Sequence, residues 1–169
     1  MAGSRPIISV VGLSKSGKTT FLEGLIAELV RRGIKVGVIK HTHHSFMVDQ
    51  EGKDSFRLKK AGAKTVVLSS PYRLAAIKEL EEEVPLSEIV DRFMKDTDIV
   101  ITEGYKKERT LKIEVIDEKK AKGPVVAKAE DLICVVSHGP VEADVPVYRV
   151  SQVREVADLI VGLMRGAAS

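Results

Sequence analysis

The segment Gly12-Leu-Ser-Lys-Ser-Gly-Lys-Thr19, entered directly from Ile7-Ile-Ser-Val-Val11, constrains this chain more than any other feature. A β-branched run opening into a glycine-rich loop, followed by a helical period, is the signature of a phosphate-binding loop (P-loop). Gly12 and Gly17 let the backbone turn tightly, so that successive N–H groups converge on phosphate oxygens. The helix that starts near Lys18 adds the positive end of its dipole. In such loops the lysine, here Lys18, reaches the β- and γ-phosphates of a nucleoside triphosphate, and the hydroxyl of the next residue, Thr19, ligates Mg2+. Thr20 is placed to add an α-phosphate contact. The phosphate-binding set is therefore Gly12, Ser14, Lys15, Ser16, Gly17, Lys18, Thr19 and Thr20. The Lys15 side chain itself reads as a solvated loop lysine.

Behind the loop, Phe21, Leu22, Leu25, Ile26, Leu29 and Val30 recur at helical spacing, and Arg31-Arg32-Gly33 supplies cations and a glycine at the helix end. A second strand over 35–40 completes a βαβ unit, which implies a parallel sheet. Further strands are predicted at 65–69, 74–78, 98–102, 111–116, 132–136 and 145–150. Helices are predicted at 55–61, 86–95 and 152–165, the last with Ser151 as N-cap. Apolar runs without alternation suit strands buried on both faces. The fold class is α/β: a three-layer P-loop NTPase domain with a mostly parallel central sheet. With 169 residues, the chain is expected to form one nucleotide-binding domain, 1–169.

With 44% hydrophobic and 30% charged residues, the composition is that of an ordinary soluble protein. No apolar run approaches the roughly 18 residues that span a bilayer, and the N-terminus lacks a signal-peptide core. Neither a membrane nor nucleic acid is expected as a partner; the formal charge of +3 is spread among interspersed acids. The single cysteine, Cys134, lies in an apolar run and is expected to be a buried thiol. Cytoplasmic localisation is expected.

An acid ending an apolar strand beside the P-loop strand is where a metal-binding carboxylate belongs. In Asp98-Ile-Val-Ile-Thr-Glu103-Gly104 that acid is Glu103, because Asp98 begins the strand and should point to the far edge. The loop Lys40-His-Thr-His-His44 leaves the second strand at the same edge, and reads as a polar loop touching phosphate or a partner rather than a closed metal site. Asp49 is placed to reach Mg2+ directly or through water. Asp54 reads equally as a functional acid and as the N-cap of the next helix. The stretches 79–83 and 117–122 read as solvated connections.

Together these motifs resemble the molybdopterin-guanine dinucleotide biosynthesis protein B family, adapter GTPases of molybdenum-cofactor assembly. The matching residues are Gly12 to Thr20, Ile39-Lys-His-Thr-His-His44, Asp49-x-x-Gly-Lys-Asp-Ser55, Ala61-Gly-Ala63 and Thr102-Glu-Gly-Tyr-Lys106. The resemblance implies GTP as ligand with Mg2+, weak intrinsic hydrolysis, a homodimer, and association with the nucleotidyltransferase that joins GMP to the molybdenum pterin. It carries the phosphate and metal roles onto Gly17, Lys18, Thr19, Glu103 and Asp49. Two alternatives stand beside it, a small-molecule kinase and a purely non-catalytic nucleotide-dependent adapter. No Asn-Lys-x-Asp guanine motif is possible, since the chain has no Asn. In the segment after the strand at 132–136, an acid such as Glu142 or Asp144 is the candidate acceptor for guanine, with a plain surface loop as the alternative.

Overall fold

The computed structural model describes residues 5–42 and 45–166. They fall into two compact units: residues up to His41 together with those from Arg92 onward, and Thr42–Asp91.

The first unit is built on a six-stranded sheet. In chain order its elements are β1 (Ile7–Val11), α1 (Lys18–Arg31), β2 (Val36–Lys40), β3 (Ile99–Glu103), β4 (Leu111–Ile116), β5 (Leu132–Ser137), β6 (Val147–Arg149) and α2 (Val153–Gly166). The strands lie in the order β2-β3-β1-β4-β5-β6, and every neighbouring pair is parallel. All strand exits therefore meet at one edge.

One face of the sheet packs under two helices. Phe21, Leu22, Leu25 and Leu29 of α1 and Val156, Ala157 and Ile160 of α2 close over Ile8, Val10, Ile101, Ile113, Val115, Cys134 and Val136. Burying one such aliphatic side chain contributes about 1.5–3 kcal/mol. Cys134 is a core thiol as expected, its pKa pushed up to about 12 by burial.

The opposite face buries Val11, Val100, Ile116 and Val135, and among them several polar side chains. The Thr102 hydroxyl donates to Ser9 Oγ at 2.8 Å, and Ser9 Oγ lies 2.6 Å from Thr110 Oγ1. Lys112, 1% exposed, donates to the carbonyls of Glu108 and Thr110 and pairs with Asp131 at 3.0 Å. Glu114, also 1% exposed, accepts the N–H groups of Val125, Val126 and Ala127. A charge buried this deeply is tolerable only when its hydrogen bonds are filled, and each is. These two residues thus clamp the segments 104–110 and 117–131 onto β4.

The second unit contains α3 (Asp54–Lys60) and a hairpin of β7 (Thr65–Ser70) and β8 (Arg73–Lys78), and the first turn and a half of a helix over Leu86–Phe93. The hairpin forms its own antiparallel sheet because only Pro71 and Tyr72 connect its strands, too short a link for parallel pairing. Several apolar side chains of this unit face solvent, including Met47 at 84% and Tyr72 at 98% exposure.

Helix boundaries differ slightly from expectation. Asp54 stands inside the first turn of α3, after Lys53 as N-cap, so it is not the cap; its carboxylate faces Arg57 at 3.6 Å. The entry to α2 is held by Gln152, whose side-chain oxygen accepts the Arg149 N–H, rather than by Ser151.

Candidate functional site

β1 delivers the chain to Gly12, whose φ of 148° is open only to glycine, and a Cβ there would strike the carbonyl oxygen of Val115 on β4. Lys15 and Gly17 also adopt positive φ, 56° and 89°. The loop therefore bulges over the end of β1 and turns back into α1 at Lys18. Gly17 is the N-cap of α1 and supplies no side-chain acceptor, which leaves the first N–H groups of the helix for an external anion. Ser16 is buried, and its Oγ has no hydrogen-bond partner among the described residues. Ser14, Lys15 and Thr20 are exposed at the rim.

Lys18 folds back on the loop, its ammonium donating to the carbonyls of Leu13 at 2.7 Å and Gly12 at 3.3 Å. Burial lowers its pKa, Glu103 opposes that shift, and Lys106, Lys120 and Lys40 reinforce it. Anionic phosphate at the loop would replace those carbonyls and stabilise the charged form.

Glu103 ends β3 in register with Val10 of β1 and Lys40 of β2. The Thr19 hydroxyl donates to it, with 3.2 and 3.3 Å to its two oxygens, and Lys40 Nζ lies 3.3 Å from Oε2. A carboxylate and a hydroxyl beside a glycine-rich loop and a helix N-terminus are oxygen donors of the kind a hard divalent cation takes. The residues present fit Mg2+. Asp98 holds the other end of the strand, accepting the Lys35 N–H at 2.7 Å, so it is remote from this edge as expected.

Asp49 belongs to the second unit. Its Oδ1 accepts the Gln50 N–H at 2.9 Å, and its Oδ2 is buried without a partner among the described residues. The His41 ring packs on Tyr105 at 4.5 Å between centroids. His43 and His44 lie outside the described residues.

One expectation is refined and one overturned. Lys120 is exposed within its connection, yet its ammonium donates to the carbonyls of Ser14 and Lys15, both at 3.0 Å. The reason is strand order. β4 lies next to β1, so the chain leaving β4 emerges against the phosphate loop, which a run of lysines cannot reveal. Glu142 and Asp144, in turn, do not stand at the carboxyl edge. Because β6 runs parallel to β5, the chain must first return to the opposite edge. On that return leg Glu142 and Asp144 line a cavity of about 420 Å³ shared with Leu132, the first residue of β5.

The chain matches the family model described as molybdopterin guanine dinucleotide synthesis protein B over residues 7–138. It is 39% identical over 156 residues to a molybdopterin-guanine dinucleotide biosynthesis adapter protein of Haemophilus influenzae, covering 92% of this chain and 87% of that one. A protein of the same description from Escherichia coli is 36% identical, with 98% of both chains covered. A crystal structure of molybdopterin-guanine biosynthesis protein B superposes with a TM-score of 0.70 at 32% identity, covering 94% of this chain and 99% of the other.

Proposed function

The chain belongs to the family of molybdopterin guanine dinucleotide synthesis protein B, and from that membership we propose that it serves molybdopterin guanine dinucleotide biosynthesis as a GTP-binding adapter. In this reading the P-loop unit and the Thr42–Asp91 unit work as one nucleotide-binding domain in the cytoplasm. The protein acts as a homodimer beside the nucleotidyltransferase that joins GMP to the molybdenum pterin, and hydrolyses GTP weakly. Among the described residues, no helix is long and apolar enough to cross a membrane.

The observation that carries the reading is the convergence of the Thr19 hydroxyl and the Glu103 carboxylate, 3.2 Å apart, at the head of the helix that Lys18 begins. Gly12, Ser14, Lys15, Ser16, Gly17 and Thr20 form the cradle for the phosphates, and Lys18 neutralises them. Thr19 and Glu103 hold Mg2+, with Asp49 as a further acid for that ion. When bound, Mg2+ draws charge from the β- and γ-phosphates.

Calorimetric titration of GTP in the presence of Mg2+ tests this. Lys18→Ala removes a charge-assisted contact of about 1.5–3 kcal/mol, so affinity should fall by roughly one to two decades. The circular dichroism spectrum should stay unchanged, since Lys18 is not a core residue. Equal GTP affinity in the variant would sink the phosphate-site reading.

A further inference from the structure

Resting on the triphosphate reading, we propose that Glu118 is the residue that reads the base, its carboxylate accepting the N1–H and 2-amino hydrogens of a guanine seated against the exits of β4 and β5.

The direction of the nucleotide follows from the cation site. Glu103 and Thr19 lie on the β3 side of the loop, so the γ-phosphate end belongs there, and the base extends to the other side, over β4 and β5. Two contacts bring those exits onto the loop. Lys120, leaving β4, donates to the Ser14 and Lys15 carbonyls. His138, leaving β5, puts Nε2 at 3.6 Å from where a Cβ on Gly17 would stand. Arg149, at the end of β6, steadies the second exit by donating to the His138 carbonyl at 2.6 Å.

Two acids follow β4, and only one is committed to its own turn. Asp117 accepts the Lys119 N–H at 3.1 Å and pairs with Lys120 at 3.4 Å. Glu118 instead leans across to β5, where its Oε2 is buried with no hydrogen-bond partner among the described residues. Buried carboxylate oxygens are rarely left so, and one beside a ligand site points to a donor that arrives with the ligand. It packs closely on Gly139: a Cβ there would lie 2.5 Å from Glu118 Cγ and 2.9 Å from Oε1, so a larger residue at 139 would push the carboxylate aside. Guanine presents two adjacent donors to such a group, whereas adenine presents an acceptor at N1 and leaves it unsatisfied.

Calorimetry with the Mg2+ complexes of GTP, ITP, ATP and XTP tests the assignment on the wild type, Glu118→Gln and Gly139→Ala. ITP lacks the 2-amino group, and XTP carries a carbonyl in its place. The wild type should favour GTP over ITP and ATP by at least about tenfold, a 1.4 kcal/mol difference. Glu118→Gln should lose that preference, keep its ATP affinity, and gain affinity for XTP, because the amide can donate to the C2 carbonyl while accepting N1–H. Gly139→Ala, which displaces the carboxylate without removing it, should weaken GTP but not ATP. A Glu118→Gln protein with the wild-type GTP-to-ITP ratio, or one that loses all four nucleotides equally, overturns the proposal. A wild type that binds none of the four overturns the phosphate-site reading as well, and so separates the two failures.

Discussion

Glu103 shows what a sequence can disclose about a single side chain. It closes an apolar strand and precedes a glycine, and that order alone places its carboxylate at the edge where phosphate chemistry occurs. The structure adds its company: Thr19 on one side and Lys40 on the other. Lys40 was visible only as the end of a strand and the start of a polar loop, since its partner lies 63 positions away and is known only once β2 is paired with β3. Lys120 was hidden for the same reason. Replacing Glu103 by Gln keeps the hydrogen bond from Thr19 but removes the anionic oxygen that a hard cation takes. GTP affinity without Mg2+ should then change little, while the gain in affinity on adding Mg2+ should shrink by about tenfold or more. Overlaid Mg2+ titrations of the two proteins would move the metal role to Asp49.

The pairing of α1 with α2 depends on charges that sequence reading assigned to a different task. Arg31 and Arg32 read as cations closing a helix dipole. In the structure both clasp Glu28, at 2.7 and 2.8 Å, and Arg32 continues across to Asp158 at 2.6 Å and to the Arg154 carbonyl. The i to i+3 and i to i+4 spacings within α1 were readable; the reach to α2 was not, because it needs the core that α1 and α2 share to bring the helices together. Hydrogen bonds from Arg31, then Arg32, hold the Glu28 carboxyl at about 2, below its ordinary 4.5. A depressed acid of this kind contributes stability above its unfolded pKa and loses it as pH falls through the folded one. Unfolding between pH 4.5 and 2 therefore takes up a proton at Glu28. Urea unfolding across that window should show Glu28→Gln taking up about one proton fewer, with lower stability than wild type at neutral pH. Parallel stability-versus-pH curves for the two proteins would remove Glu28 from the acid response.

The sheet order β2-β3-β1-β4-β5-β6 sets what the assembled protein can do. The chain first moves outward from β1 to β2, and later to the other side through β4, so β1 sits at the reversal where an open parallel sheet binds ligand. Strand positions and the parallel βαβ start were legible from apolar runs and turn residues. The separate hairpin of β7 and β8 was not, since its strands read like any others until the two-residue Pro71–Tyr72 connection is weighed. Nor was the polar layer of Lys112 and Glu114, whose charges sit in a strand that periodicity alone assigns to the core. Around the loop, this topology gathers lysines: Lys40, Lys106 and Lys120 are the cations that bear on Lys18. Ammonium groups hold a bound triphosphate as point charges, whereas fast hydrolysis calls for an arginine fork at the γ-phosphate and a residue that orients water. Gln50, the amide in the loop after β2, belongs to the second unit. The isolated protein should therefore bind GTP and release phosphate more slowly than about 1 s⁻¹, the low end of ordinary turnover numbers. Phosphate release measured at saturating Mg–GTP decides it: a faster rate from this chain alone would describe an autonomous enzyme and contradict the adapter.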